Sequence, residues 1–313
     1  MSNLISPKVQ VMLSTYNGEK YVRELLESLR LQDYDNFTVK IRDDGSKDET
    51  FTLISEYIKV NELDWEIHKG ENLGVLKSFF WLLFNASEEA DYYSFCDQDD
   101  VWRSDKLSIA VKALSEEKEA KPLLYCSAYS LVDEELKAFP NQYDVSKLVP
   151  SFKGALFANI VTGCTIVMNN KARELIICKR LPSCMIHDWW FYLVISAFGK
   201  VVFDSQRTVM YRMHGKNVYG AKKSLFKNIF KFYRMILSKL SSTHEIHMKE
   251  ASDQIDEFID IYSAEIQKSH LHDIELFRDR SIKNRLRVYF DNDFWVKSSV
   301  NNSHRIRFLF NSL

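Results

Sequence analysis

Three carboxylates fall within four residues at Asp97-Gln98-Asp99-Asp100, directly after an apolar run. Charges so close repel one another unless a cation lies among them, and hard oxygen ligands select Mg²⁺ or Mn²⁺. An ion held by few protein groups keeps coordination positions open for phosphate oxygens. A solvated turn or a helix cap ahead of Trp102 would use the same residues, but the apolar run before them and Val101-Trp102 after them point to a partly enclosed place. A second acidic pair opens Asp43-Asp44-Gly45-Ser46, where carboxylates can accept from the N–H and O–H groups of a nucleoside and Gly45 permits a tight turn. As an isolated tetrapeptide it is a common turn, and it lacks the spacing and terminal Glu of an EF-hand loop. His187-Asp188-Trp189-Trp190 sets a carboxylate among aromatic rings, which raises its proton affinity and suits a general base. Asp is also a favoured helix cap, and the two uses are compatible. His214, in Tyr211-Arg212-Met213-His214-Gly215, is open to a metal or diphosphate contact or to a structural hydrogen bond.

Each cluster needs an element to aim it. Val9 to Leu13 reads as a strand ending in Ser14-Thr15-Tyr16-Asn17-Gly18, after which Tyr21, Val22, Leu25, Leu26 and Leu29 recur at helical spacing. The pattern returns with a strand at Phe37 to Ile41, a helix over Phe51 to Ile58 after Ser46 and Asp48 as caps, a strand at Trp65 to His68, and a helix over Leu73 to Phe84. A strand at Tyr92 to Cys96 then delivers the acidic cluster. Alternating strands and helices imply an α/β fold with a mostly parallel sheet and right-handed crossovers, in which ligands bind at the carboxyl ends of the strands. Three polar clusters should therefore converge on one rim. Further on, the sequence predicts strands at Leu123 to Ala128, Cys164 to Asn169 and Val201 to Asp204, and a helix at Asp188 to Ala197. From Lys222 it turns helical, which places a boundary near Ala221: a catalytic unit over 1–221 and a helical region over 222–313.

Composition narrows the classes. With 313 residues, 46% hydrophobic and 27% charged, the chain can bury a large core without disulfides or metal staples, and it is neither low-complexity nor collagen-like. The 42 Lys+Arg balance 43 Asp+Glu, so no global basic field supports nucleic-acid binding. The five cysteines form no C-x-x-C pair, which fits a reducing, cytoplasmic compartment. No apolar run reaches the roughly 18 residues that span a bilayer, and no signal peptide is expected.

The order of motifs, Ser-Thr-Tyr-Asn-Gly at 14–18, Arg-Asp-Asp-Gly-Ser at 42–46, Asn72-Leu73-Gly74, Asp97 to Trp102, His187-Asp188-Trp189 and Tyr211 to Gly215, resembles family 2 glycosyltransferases of the GT-A fold. The Asp-Gln-Asp-Asp-Val-Trp and Tyr-Arg-x-His-Gly strings are most similar to the bacterial rhamnosyltransferase branch, and the resemblance covers about residues 8–217. It implies a Rossmann-like central sheet flanked by helices. It also implies that Thr15, Tyr16, Glu19, Asp43, Asp44 and Asp97 lie along the nucleotide, that Asp99 and His214 hold Mg²⁺ or Mn²⁺, that Asp188 is the base, and that Thr162, Gly163 and Trp189 face the acceptor. His187 stands where Glu is commoner in the family. The expected reaction is inverting transfer of a sugar, L-rhamnose from dTDP-rhamnose foremost or a UDP-linked hexose otherwise, onto a lipid-linked saccharide of a cell-wall or surface polysaccharide. A metal-dependent nucleotidyltransferase or phosphohydrolase would share the strand-end acids but should show a nucleophilic Asp or a P-loop, and neither is present. The amphipathic segment Lys222 to Leu240, with Lys223, Lys227 and Lys231 beside Phe226, Phe230 and Tyr233, fits a peripheral membrane contact, a packing surface or a homo-oligomer contact.

Overall fold

The computed structural model describes residues 6–140, 142, 144–145, 148–215, 249–279 and 281–291. Strands and helices alternate as β1 (Val9–Thr15), α1 (Val22–Arg30), β2 (Phe37–Asp43), α2 (Thr50–Val60), β3 (Glu66–Lys69), α3 (Val75–Phe84) and β4 (Tyr92–Asp97). There follow β5 (Val101–Trp102), α4 (Lys106–Ser115), β6 (Leu123–Val132), α5 (Phe152–Ala155), a tight turn at Gly163–Thr165, β7 (Val167–Asn169), α6 (Asn170–Ile177), α7 (His187–Phe198) and β8 (Lys200–Arg212). A helix over 249–262 (α8), α9 (Lys268–Arg278) and α10 (Ile282–Phe290) complete the described chain.

The eight strands form one sheet in the order β3-β2-β1-β4-β7-β6-β8-β5. The first four in that order are parallel, β7 is antiparallel to both β4 and β6, and β8 runs parallel to β6. β1 is apolar on both faces because helices cover both sides of it, as a central parallel strand requires. The register puts Thr15 level with Asp43 and Ser14 level with Asp97, so the polar ends of β2, β1 and β4 do meet on one rim.

Several strands depart from expectation: β5 was not expected, β6 runs on past Ala128 to Val132, and β7 and β8 differ in length. β7 is shorter because Thr165 donates both its N–H (2.9 Å) and its hydroxyl (2.7 Å) to Thr162 O, curling Gly163–Thr165 out of the extended state. β8 is longer: the polar stretch from Asp204 to Arg207 lies at a register slip against β6, where Gln206 N–H donates to Asp204 Oδ1 at 2.8 Å, and pairing resumes to Arg212.

α7 is buried along nearly its whole length and forms the centre of the largest core. Trp190 lies 6.4 Å from Phe258 and 6.3 Å from Tyr262, ring centre to ring centre, so α8 shares that core. The segment Lys222 to Leu240 lies outside the described residues. No helix of the described residues is long and apolar enough to cross a membrane.

Candidate active site

The rim is braced before any ligand arrives. Asp43 is fully buried; its carboxylate accepts from Ser46 N–H (2.9 Å), Ser46 Oγ (2.6 Å) and Thr15 Oγ1 (3.1 Å). Asp44 accepts from Leu73 N–H and Gly74 N–H, both at 2.8 Å, and pairs with the buried Arg42. Gly74 can take this position because its φ of 80° is open to glycine. Both carboxylates, expected along the nucleotide, thus spend three of about four lone-pair positions on the protein itself. Gln98 performs a similar task between loops: its side chain accepts from Tyr16 N–H at 2.8 Å and donates to Tyr16 O at 2.9 Å. A side chain at Gly18 would start 2.2 Å from Gln98 Oε1, which explains a glycine there. Tyr16 is exposed on this loop, while Glu19 is tied to the start of α2 through Glu49 N–H at 3.1 Å.

The acidic turn after β4 is differently supplied. Burial, reinforced by the charges of Asp99 and Asp188, raises the Asp97 carboxyl far above the ordinary carboxylate range. Burial also raises Asp100, with Asp99 and Asp97 adding to it. Asp100 Oδ1 accepts from Arg212 N–H at 3.1 Å, but Oδ2 is buried with no hydrogen-bond partner among the described residues. Asp97, Asp100 and Cys164 bring their ligand-type atoms within 4.8 Å of one another. Beside them Asp99 Oδ2 and His214 Nε2 meet at 2.7 Å, and the His214 ring stacks on Tyr21 at 5.1 Å. Several desolvated carboxylates, a ring nitrogen and an orphaned oxygen make a donor set that a divalent cation fits.

Asp188 sits in the first turn of α7 and is 6% exposed. Its Oδ1 accepts from Asn159 Nδ2 (2.9 Å) and Trp189 N–H (2.6 Å), and its Oδ2 from Gly163 N–H (3.0 Å). Ile186, not Asp188, occupies the capping position. Burial nevertheless outweighs these donors and pushes the Asp188 pKa up to about 7. About one lone-pair position remains for a substrate hydroxyl. His187 packs on Gly163 and among Phe79 (4.3 Å), Phe95 (5.7 Å) and Phe191 (5.6 Å), where burial lowers its pKa to about 3 and keeps the ring neutral. Thr162 and Gly163 therefore lie beside Asp188. Trp189 does not face an acceptor: it is 1% exposed, and its indole N–H donates to Ala155 O at 2.7 Å, bracing α5 against α7.

Residues 10–139 match the family model described as glycosyl transferase family 2. Over that stretch the chain is similar to family 2 glycosyltransferases. An uncharacterized glycosyltransferase of Rickettsia prowazekii is 24% identical over 80% of this chain and 78% of its own length. The dTDP-rhamnosyl transferase RfbG of Shigella flexneri is 26% identical over 74% of this chain and 83% of its own. Among solved structures, the mannosyltransferase PcManGT of Pyrobaculum calidifontis, in complex with GDP-Man and Mn²⁺, superimposes with a TM-score of 0.51 at 14% identity, covering 99% of this chain and 89% of that one. The GT-A fold follows from such likeness.

Several residues in and around this site were not singled out from sequence. Gln98 and Arg212 stand inside motifs quoted for their neighbours, so a signal was present. Cys164 closes the Thr162-Gly163-Cys164 stretch, whose first two residues the resemblance assigns to the acceptor side, whereas Asn159 comes from a segment with no chemical pattern of its own. Lys106 is fully buried, donates to Ser94 Oγ at 3.1 Å and lies 3.5 Å from the Trp102 ring centre; burial lowers its pKa to about 8.

Proposed function

We propose that the protein is an inverting, metal-dependent transferase that moves L-rhamnose from dTDP-rhamnose onto a saccharide acceptor of a bacterial polysaccharide. The observation that carries the reading is the proximity of Asp188 to the acidic turn: Asp97 and Asp100 bring their carboxyl oxygens within 4.8 Å of Cys164 Sγ, and Gly163, the residue before Cys164, donates its N–H to Asp188 at 3.0 Å. In this reading residues 1–221 are the catalytic unit and 222–313 its helical support.

Asp99 and His214, with Asp97 and Asp100 adjoining, would hold Mg²⁺ or Mn²⁺. The cation, when bound, neutralises charge that develops on the leaving diphosphate. Asp188, whose burial raises its pKa to about 7, takes the proton of the acceptor hydroxyl as that oxygen attacks the anomeric carbon. Asn159, Gly163 and Trp189 donate to the base and fix its orientation. The rim built by Asp43, Asp44 and Thr15 shapes the nucleotide side. A single displacement inverts configuration, giving an α-L-rhamnoside from a β-L-linked donor, and needs no nucleophile on the protein. The rhamnosyl choice is supported by the Shigella relative. The acceptor is taken to be lipid-linked and the site of work cytoplasmic, at the inner face of the membrane.

The test is a donor screen with Mn²⁺ that scores release of nucleoside diphosphate from dTDP-rhamnose, UDP-glucose, UDP-galactose and UDP-N-acetylglucosamine. Preference for dTDP-rhamnose is expected. Preference for a UDP-sugar transfers the reading to a hexosyl or N-acetylhexosaminyl donor, and no release from any of the four sinks it.

A further inference from the structure

Arg212 ends β8 two residues before His214, yet it is only 1% exposed. Each of its polar groups grips a different part of the site. The backbone N–H donates to Asp100 Oδ1 at 3.1 Å, and Nε donates to Asp99 O at 2.9 Å. One terminal nitrogen donates to Glu134 O and the other pairs with the Glu24 carboxylate on α1. The guanidinium also lies over the Tyr21 ring, 4.6 Å from its centre, and the same ring stacks with His214 at 5.1 Å. Tyr21 in turn donates from its hydroxyl to Glu134 Oε2 at 3.0 Å, and Lys20 pairs with that carboxylate. Three segments distant in sequence, namely the start of α1, the acidic turn and the turn after β6, are thereby tied to one side chain.

We propose that Arg212 is a positioning residue for the Asp99–His214 pair: it fixes the main chain at Asp99 and the ring on which His214 rests, so that the pair is already assembled when a divalent cation arrives. The proposal rests on the metal-dependent reading of the site. It depends on the shape of guanidinium. A planar fork with five donors can serve Asp99, Glu134 and Glu24 at once, whereas an ammonium on a flexible stem serves one of them at a time. A buried arginine that merely filled space would have no reason to address the carbonyl of Asp99 itself.

The experiment measures Mn²⁺ binding directly, by electron paramagnetic resonance of the free ion with and without dTDP, alongside turnover and thermal unfolding. Arg212→Lys should bind Mn²⁺ about tenfold or more weakly, the scale of one lost charge-assisted hydrogen bond. Its turnover should require correspondingly more Mn²⁺, so that the Mn²⁺ dependence of kcat shifts in step with the loss of Mn²⁺ affinity. Glu24→Gln removes a partly exposed anchor and leaves the Asp99 contact in place, so it serves if the lysine variant fails to fold; it should shift Mn²⁺ affinity in the same direction by about twofold to threefold. Unchanged Mn²⁺ affinity in the folded variants, whatever happens to the melting temperature, overturns the proposal and leaves Arg212 a structural brace. A parent protein that binds no Mn²⁺ and turns over fully in chelator is a different failure. It removes the metal-dependent reading, and the proposal with it.

Discussion

At the end of β2 the Asp43 and Asp44 carboxylates are met by backbone N–H groups, hydroxyls and the Arg42 guanidinium; at the end of β4, on the other side of β1, Asp97 and Asp100 are pressed together with a buried oxygen left unmet. Both corners are short acidic runs at parallel strand ends. One is satisfied from within, whereas the other crowds carboxyls that burial and mutual repulsion push toward their neutral form, with Asp100 Oδ2 unpartnered among the described residues. Acidic residues at a strand end thus declare their role by who donates to them.

Substitutions should separate the corners. Asp44→Ala strands a buried Arg42, and removing one member of a buried pair costs about 3–5 kcal/mol; chemical denaturation should register that loss. Asp99→Ala should cost less stability than Asp44→Ala, because it also relieves the repulsion on Asp97 and Asp100, yet lower turnover about 10³-fold, equivalent to about 4 kcal/mol of lost charge stabilisation. Equal stability losses at both corners would erase the distinction.

Asp188 lies between these extremes. Asp188→Asn should lower the rate by about 10²- to 10⁴-fold. It is not structurally silent, because both oxygens accept N–H donors and an amide must turn its NH₂ toward one set of them, at a cost of about 1–3 kcal/mol. Titrating kcat/KM checks the same residue: a base with a pKa near 7 must be deprotonated, so the rate should fall about tenfold per pH unit below that value. A rate flat down to pH 5 would remove Asp188 from the chemistry.

The smallest effect is thermodynamic. Asp97 and Asp100 have folded values raised above their unfolded ones, so their stabilising contribution is present below the ordinary carboxylate range near 4 and is lost as pH rises through the raised values. In chelator the melting temperature should decline with pH across that window more steeply than in Asp97→Asn, and Mn²⁺ should flatten the decline.

Much of the rim was legible beforehand, since apolar runs ending at Thr15, Asp43 and Asp97 announce strands whose polar ends must align. The antiparallel insertion of β7 was not, because a strand of three residues carries too little periodicity to show its direction. Trp189 was misread for a related reason: an aromatic pair opening a helix looks alike whether it lines a cavity or fills a core, and α7 turns out to be surrounded. The Cys164 contribution was invisible because the acidic turn and the turn at Gly163–Thr165 meet through the sheet, not through the chain. The shared core of α7 and α8 likewise depends on which aromatic rings meet, information that helical spacing does not contain.

Gln98 binds both the N–H and the carbonyl of Tyr16, and Gly18 leaves no gap beside it. The first loop and the acidic turn are therefore mechanically a single body, and neither can be displaced without dragging the other. For two ligands that each grip one of those loops, the consequence is reciprocity: whatever factor the first contributes to the affinity of the second, the second must return to the first.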